Sequence, residues 1–370
     1  MNGAEGQLYA VIMAGGAATG MWPLSRRKSP GQFLPVRDNR SMFSVTLRRI
    51  EQCIPRERIL VVTSSEGAEL VSFLEPAFPP DNVLVEPQSR GTAPCAAFAA
   101  AVLRKRDPAA VMCLVPVDHY VDDDSLYART LLDAAHIAVE HRRFVAIGIR
   151  PDYPVTRYGY MQVGKEAGLT CSLQTEGKLY TVKTIADNPD RSTAETFIQS
   201  GDFFWNSGIF AATLDTFCSE LNSSEPDLYR DMLYMTDGVD TPDARNVIED
   251  VYSWLHPVSI DEGLLAKSAS AVMIEGMFGW RDLCCWDDIA QTDGGDNDWL
   301  SGSKQQGIVE IDARRNLVKA PAGKTVSLVG VSDLIVIDTG DALLVCRRGD
   351  SLGVCAAVDI IRREGREESL

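Results

Sequence analysis

Residues Ala10–Val36 read AVIMAGGAATGMWPLSRRKSPGQFLPV. A β-type run, Tyr9–Met13, passes directly into Ala14-Gly15-Gly16, with Gly20 close behind. A strand that ends in a glycine-rich turn presents backbone N–H groups that can face phosphate oxygens. Two common versions of such a turn are excluded. A P-loop closes on Gly-Lys-Ser/Thr, whereas Gly20 is followed by Met21-Trp22. The dinucleotide fingerprint G-x-G-x-x-G does not fit the spacing of Gly15, Gly16 and Gly20.

Working outward, Ile59–Thr63, Val83–Val85, Val111–Val115 and Phe144–Ile149 are short runs rich in Val and Ile that do not alternate apolar with polar. Such runs suit strands covered on both faces, as in a parallel sheet. Between them lie helical patterns: Leu131, Ala135 and Val139 recur on one face after Ser125, which is the expected N-cap. Strand and helix in repeated alternation predict a doubly wound α/β sheet. The stretch Asp293–Gln306, rich in Gly, Asp and Ser, is the expected linker between an α/β domain over 1–292 and a small β-rich domain over 307–370. In the latter, Ile308–Ile311, Leu317–Lys319, Val326–Val329, Leu334–Ile337 and Leu343–Cys346 are β-type runs separated by turn signals, a spacing that coils of a β-helix would have.

Composition narrows the function. The chain has 370 residues with 36 Lys+Arg against 52 Asp+Glu, a formal charge of −16, and 45% hydrophobic residues. The acidic balance argues against a nucleic-acid partner. Apolar stretches such as Ala96–Leu103 fall short of the roughly 18–20 residues that a membrane span needs, so no membrane association is expected. The first residues carry neither a basic segment nor an apolar one, and the expected location is the cytoplasm. Nine cysteines without a CxxC pair suit a reducing compartment, and adjacent Cys284-Cys285 are not expected to chelate a metal together.

Longer motifs are more specific than the turn. Ala14-Gly15-Gly16, Thr19, Trp22-Pro23-Leu24-Ser25-Arg26 and Gln32-Phe33-Leu34 fall in the pattern A-G-G-x-G-T-R-x-W-P-L-S-R followed by P-K-Q-F-L. Further along come Glu86-Pro87 with Arg90-Gly91-Thr92-Ala93-Pro94, Pro116-Val117-Asp118-His119, Tyr158-Gly159-Tyr160, Trp205-Asn206-Ser207-Gly208, Ser259-Ile260-Asp261, Phe278-Gly279-Trp280 with Asp282 and Trp286, and Ser332–Thr339. In this order the chain resembles the mannose-1-phosphate guanylyltransferase (GDP-mannose pyrophosphorylase) family of sugar-nucleotide transferases. The resemblance implies a Rossmann-like nucleotide-diphospho-sugar transferase domain with a small C-terminal left-handed β-helix-like domain. It implies transfer of GMP from GTP to mannose 1-phosphate, giving GDP-mannose and pyrophosphate, with Mg²⁺ held by Asp118 and Asp282 as the catalytic acids. Nucleotide contacts would come from Ala14, Gly15, Gly16, Thr19, Arg90, Gly91 and Thr92, and sugar-phosphate contacts from Gly159, Asp187, Asn206 and Asp261. Thr92 also reads as a helix N-cap, with Pro94 in the first turn.

The departures from the pattern concern charge. Gly20 stands for the Arg of G-T-R, Gly31 for the Lys of P-K-Q-F-L, and Asn188 for the Lys of E-K-P; Ala18 replaces a loop glycine. A cation about 4 Å from a phosphate charge contributes up to roughly 4 kcal/mol at an effective dielectric near 20. Arg157, Arg281, Arg26, Arg27 and Lys28 are the candidate substitutes, and restoring Gly20→Arg with Gly31→Lys is the expected route to a faster enzyme. The alternative is a catalytically silent homologue that binds nucleotide or sugar nucleotide, or that regulates an active paralogue as its partner; a homo-oligomer is the other assembly considered.

Overall fold

The computed structural model describes residues 7–16, 18–37, 40–169, 171–292 and 307–370. The expected linker, 293–306, lies outside the described residues. The described part of the chain divides into two compact units.

The first unit comprises the chain up to Gly15, Leu47–Pro116 and Val121–Trp280. Its centre is a nine-stranded sheet in the order Val83–Val85, Ile59–Thr63, Leu8–Ala14, Val111–Pro116, Phe203–Thr213, Val145–Ile149, Val272–Gly276, Leu179–Ala186, Tyr160–Glu166. The five expected strands are all present, and the four at the Val83–Val85 edge pair in parallel. Parallel strands need helical crossovers, and Thr92–Arg106 is one of these. Its run of Ala93 through Leu103 is wholly buried, which explains why the segment is apolar on every side.

The sheet is mixed rather than uniformly parallel. Phe203–Thr213 enters antiparallel between Val111–Pro116 and Val145–Ile149, and Leu179–Ala186 runs antiparallel to both of its neighbours. The Phe203–Thr213 register shifts between Asn206 and Phe210, where Gly208 has a left-handed φ of 71°. Such a bulge re-aims side chains. Two expected caps move by one or two positions. Asp123, not Ser125, caps Asp124–His141 by accepting the Leu126 N–H. Gly91, not Thr92, is the N-cap of Thr92–Arg106.

The second unit comprises Gly16–Thr46, Val117–Tyr120 and Arg281–Leu370. Strands Ile308–Ile311 and Val326–Val329 pair in parallel, as do Leu317–Lys319 and Leu334–Asp338. Both pairings join residues 18 apart, Ile308 with Val326 and Leu317 with Ile335, so successive coils stack as a β-helix does. Leu343–Arg347 then turns back antiparallel, and the helix Gly353–Arg363 follows. The core of this unit joins distant parts of the sequence: Met21, Trp22 and Met42 pack with Trp286, Ile335, Leu344 and Val354. The Trp22 indole N–H donates to the Ser369 carbonyl at 2.7 Å, and that of Trp286 to the Trp22 carbonyl at 2.8 Å.

Candidate active site

In the first unit the four expected sugar-phosphate residues come together. The Asn206 N–H donates to the Gly159 carbonyl at 2.8 Å, continuing the antiparallel pairing of Phe203–Thr213 with Tyr160–Glu166. The Asn206 side chain is oriented at both ends: its Oδ1 accepts the Gly208 N–H at 3.1 Å, and its Nδ2 donates to Asp261 Oδ1. A β-carbon on Gly159 would lie 3.6 Å from Asn206 Cβ and 3.7 Å from Asp187 Oδ1. An amide, two carboxylates and a bare backbone thus share one neighbourhood. Carboxylates only accept hydrogen bonds while an amide does both, a set that suits hydroxyl groups. Burial pushes the Asp261 carboxyl up to about 6; the Asn206 hydrogen bond pulls the other way, and the charge of Asp187 adds to the rise.

Asp261 opens a π-helical turn, Asp261–Leu265, a local widening often found at functional sites. The Thr92 hydroxyl fixes its approach by accepting the Ile260 N–H at 2.9 Å. Gly91 allows this approach, because at its φ of 91° a β-carbon would lie 2.4 Å from the Val258 carbonyl oxygen. Arg90 turns to the backbone: Nε donates to the Tyr252 carbonyl at 3.1 Å and Nη2 to that of Ser253 at 3.5 Å.

Ala14 and Gly15 end the strand Leu8–Ala14, where the Thr63 hydroxyl donates to the Ala14 carbonyl at 2.9 Å. Beside them lies a residue given no role from sequence. Glu86 is buried, and its Oε1 accepts the Tyr252 hydroxyl at 2.8 Å. Its Oε2 lies 2.8 Å from where a β-carbon on Gly15 would be. Desolvation raises its carboxyl to about 7, partly offset by the Tyr252 hydrogen bond. The available signal was an acid placed directly after the apolar strand Val83–Val85, a position where a solvated side chain is not the default.

The second unit holds Gly16, Thr19, Asp118 and Asp282. Gln32 Nε2 donates to the Gly16 carbonyl at 3.1 Å, and the Thr19 hydroxyl lies 3.4 Å from Cys355 Sγ. Asp118 and Asp282 are carried by segments paired side by side, since the Leu283 N–H donates to the Asp118 carbonyl at 2.9 Å. Desolvation raises the Asp118 carboxyl. The Cys284 thiol is pushed well up by a hydrogen bond with Cys285 and by burial, and the charges of Asp282 and Asp118 both add to that shift. The two acids therefore act on one neighbourhood. Desolvated carboxylate oxygens are donors of the kind a hard divalent cation takes.

Around them the signature loop is closed. A β-carbon on Gly20 would lie 2.3 Å from the Cys284 carbonyl oxygen, and one on Gly31 would lie 2.6 Å from Ala18 Cβ. Real β-carbons do not approach so closely. Ala18 adopts a left-handed conformation (φ 43°, ψ 45°) that a glycine takes at lower cost. The expectation that Arg at 20 and Lys at 31 could simply be restored is thus corrected. Arg26 is not a free substitute either, as it pairs with Asp341 at 3.1 Å and donates to Thr339 and to the Ser369 carbonyl. The adjacent cysteines share one partner. Cys284 and Cys285 bring their sulfur atoms to one carboxylate, that of Asp288.

The nucleotidyl transferase family profile matches residues 9–295. The chain belongs to this family. The MannoseP isomerase/GMP-like beta-helix domain profile matches residues 306–355. A mannose-1-phosphate guanylyltransferase of Salmonella montevideo is 31% identical over 366 residues, 97% of this chain and 75% of that protein. The alginate biosynthesis protein AlgA of Pseudomonas fluorescens is 29% identical, across 98% of this chain and 73% of the relative. Among solved structures, a mannose-1-phosphate geranyltransferase from Thermus thermophilus superposes with a TM-score of 0.81 at 27% identity, covering 96% of this chain and 99% of that one. This nucleotidyl transferase therefore keeps the family's two-part architecture across its length. Among the described residues, no helix is long and apolar enough to cross a membrane.

Proposed function

We propose that the protein is a sugar-1-phosphate nucleotidyltransferase that transfers GMP from GTP to mannose 1-phosphate at a reduced rate. The observation that carries this reading is the arrangement of Asn206 with Asp261, Asp187 and Gly159, an oriented set of hydroxyl partners at the positions where the family resemblance places the sugar phosphate. In this reading Asn206 and Asp261 hold the hexose, and the backbone at Ala14–Gly16 with Thr19 and Gly91-Thr92 receives the nucleotide. Asp118 and Asp282 would hold Mg²⁺, which neutralises phosphate charge when bound. The transfer step then depends mainly on positioning and on charge neutralisation. Loss of a cation that acts in the transition state costs on the order of 10³–10⁵ in rate for phosphoryl transfer, which is the basis for a slow reaction.

The test is pyrophosphate release from GTP, mannose 1-phosphate and Mg²⁺. Slow release that requires all three supports the reading, and no release rejects it. A second reading, a silent homologue that binds sugar nucleotide alone or beside an active paralogue, is favoured by the closed packing at Gly20 and Gly31. Calorimetric titration with GDP-mannose separates the two: heat of binding without turnover supports the silent homologue.

A further inference from the structure

We propose that Cys284, Cys285 and Asp288 form a site for a thiophilic divalent cation, with Zn²⁺ the physiological occupant. The site uses none of the residues assigned to the proposed transfer reaction, although it adjoins Asp282 and Asp118, whose charges act on the Cys284 thiol. Among the described residues, one ligand atom from each of these three side chains lies within 4.8 Å of the other two. Asp288 Oδ2 is the common point, 3.0 Å from Cys285 Sγ and 3.6 Å from Cys284 Sγ. A tetrahedral Zn²⁺ with bonds of about 2.3 Å to sulfur and 2.0 Å to oxygen requires sulfur–oxygen edges of roughly 3.5 Å. The two observed edges bracket that length, and the sulfur–sulfur edge lies within 4.8 Å.

The carboxylate is oriented by the backbone rather than by the thiols alone. It accepts the Cys285 N–H at 3.1 Å, where the chain enters the helix Trp286–Thr292. Cys285 and Asp288 are each 2% exposed while Cys284 is half-buried, which leaves a side from which an ion and a water as fourth ligand can enter. Two thiolates select a soft or borderline ion over Mg²⁺, which prefers an all-oxygen shell. Binding forms two metal–sulfur bonds and one metal–oxygen bond, and releases the two thiol protons to solvent. The cluster's net charge is unchanged, so the exchange adds no charge to the buried site.

The test uses the reduced full-length chain in excess Mg²⁺, titrated with Co²⁺ as the spectroscopic probe. A near-ultraviolet thiolate-to-cobalt charge-transfer band is expected, saturating at one ion per chain and displaced by Zn²⁺. Zn²⁺ should also raise Tm in a concentration-dependent way. Both effects should vanish in the Cys284→Ser/Cys285→Ser variant. Absence of the band overturns the site, as does a band of equal strength in that variant, since seven other cysteines remain in the chain. Should the double variant fail to fold, Cys284→Ser alone decides: at least a tenfold loss of Co²⁺ affinity supports the site and unchanged affinity rejects it.

Discussion

Two regions of the molecule match the same family and have fared differently. Around Asn206 the matching residues are retained and there is room at the backbone: a β-carbon on Gly159 would meet its neighbours at 3.6 Å or more, an ordinary contact. Around the signature loop the backbone is tightly packed: a β-carbon would lie 2.3 Å from its nearest neighbour at Gly20 and 2.6 Å at Gly31. The lesson is that a lost side chain differs from a lost site. At the loop, a backbone carbonyl and the Ala18 methyl stand where a side chain at 20 or 31 would begin, so a larger residue does not fit without a shift.

The largest expected effect would break this contrast if it failed to appear. Gly20→Arg should destabilise the fold by about 3 kcal/mol or more, because a backbone carbonyl cannot give way as a flexible side chain can; urea unfolding measures it. Gly31→Lys should destabilise too, but here the obstacle is the Ala18 methyl. Ala18→Gly made together with Gly31→Lys should recover most of the lost stability, which sharpens the account to a single contact.

Next comes pH. Glu86 is raised from 4.5 to about 7 in the folded chain. The folded state thus holds its proton longer than the unfolded state does. The stability it contributes is fully present below pH 4.5 and lost as pH rises through 7. Asp261 and Asp118 act in the same direction. Denaturant curves of Glu86→Gln, compared with the parent between these pH values, should show a flatter fall, by on the order of 2 kcal/mol. Equal slopes would contradict the burial argument.

Asn206→Ala removes the amide from Asp261 and should weaken binding of GDP-mannose about tenfold, while costing about 1–3 kcal/mol of stability through the unsatisfied carboxyl. Calorimetry reads the first and urea unfolding the second. The smallest effect is expected for Asp341→Ala. It removes an ion pair whose acid is 62% exposed, and should change stability by less than about 1 kcal/mol.

Much of this contrast was legible in the chain itself. Val- and Ile-rich runs such as Ile59–Thr63 announce covered strands because both faces are buried, and all five expected runs entered the sheet. Phe203–Thr213 was not read as a strand, since its bulge at Asn206–Gly208 interrupts any regular period. Nor could spacing reveal that Thr19 meets Cys355, or that Trp22 reaches Ser369. Those contacts join residues 336 and 347 positions apart, and nothing local encodes them. The same holds for Gly20 and Gly31. The sequence shows glycines at these positions, while only the fold shows how closely their neighbours pack.

The most direct test of the account is pyrophosphate release with GTP, mannose 1-phosphate and Mg²⁺, measured for the parent and for Asn206→Ala. The account predicts slow but saturable release in the parent, with a KM for mannose 1-phosphate roughly tenfold higher in the variant. A KM unchanged by the substitution would contradict it.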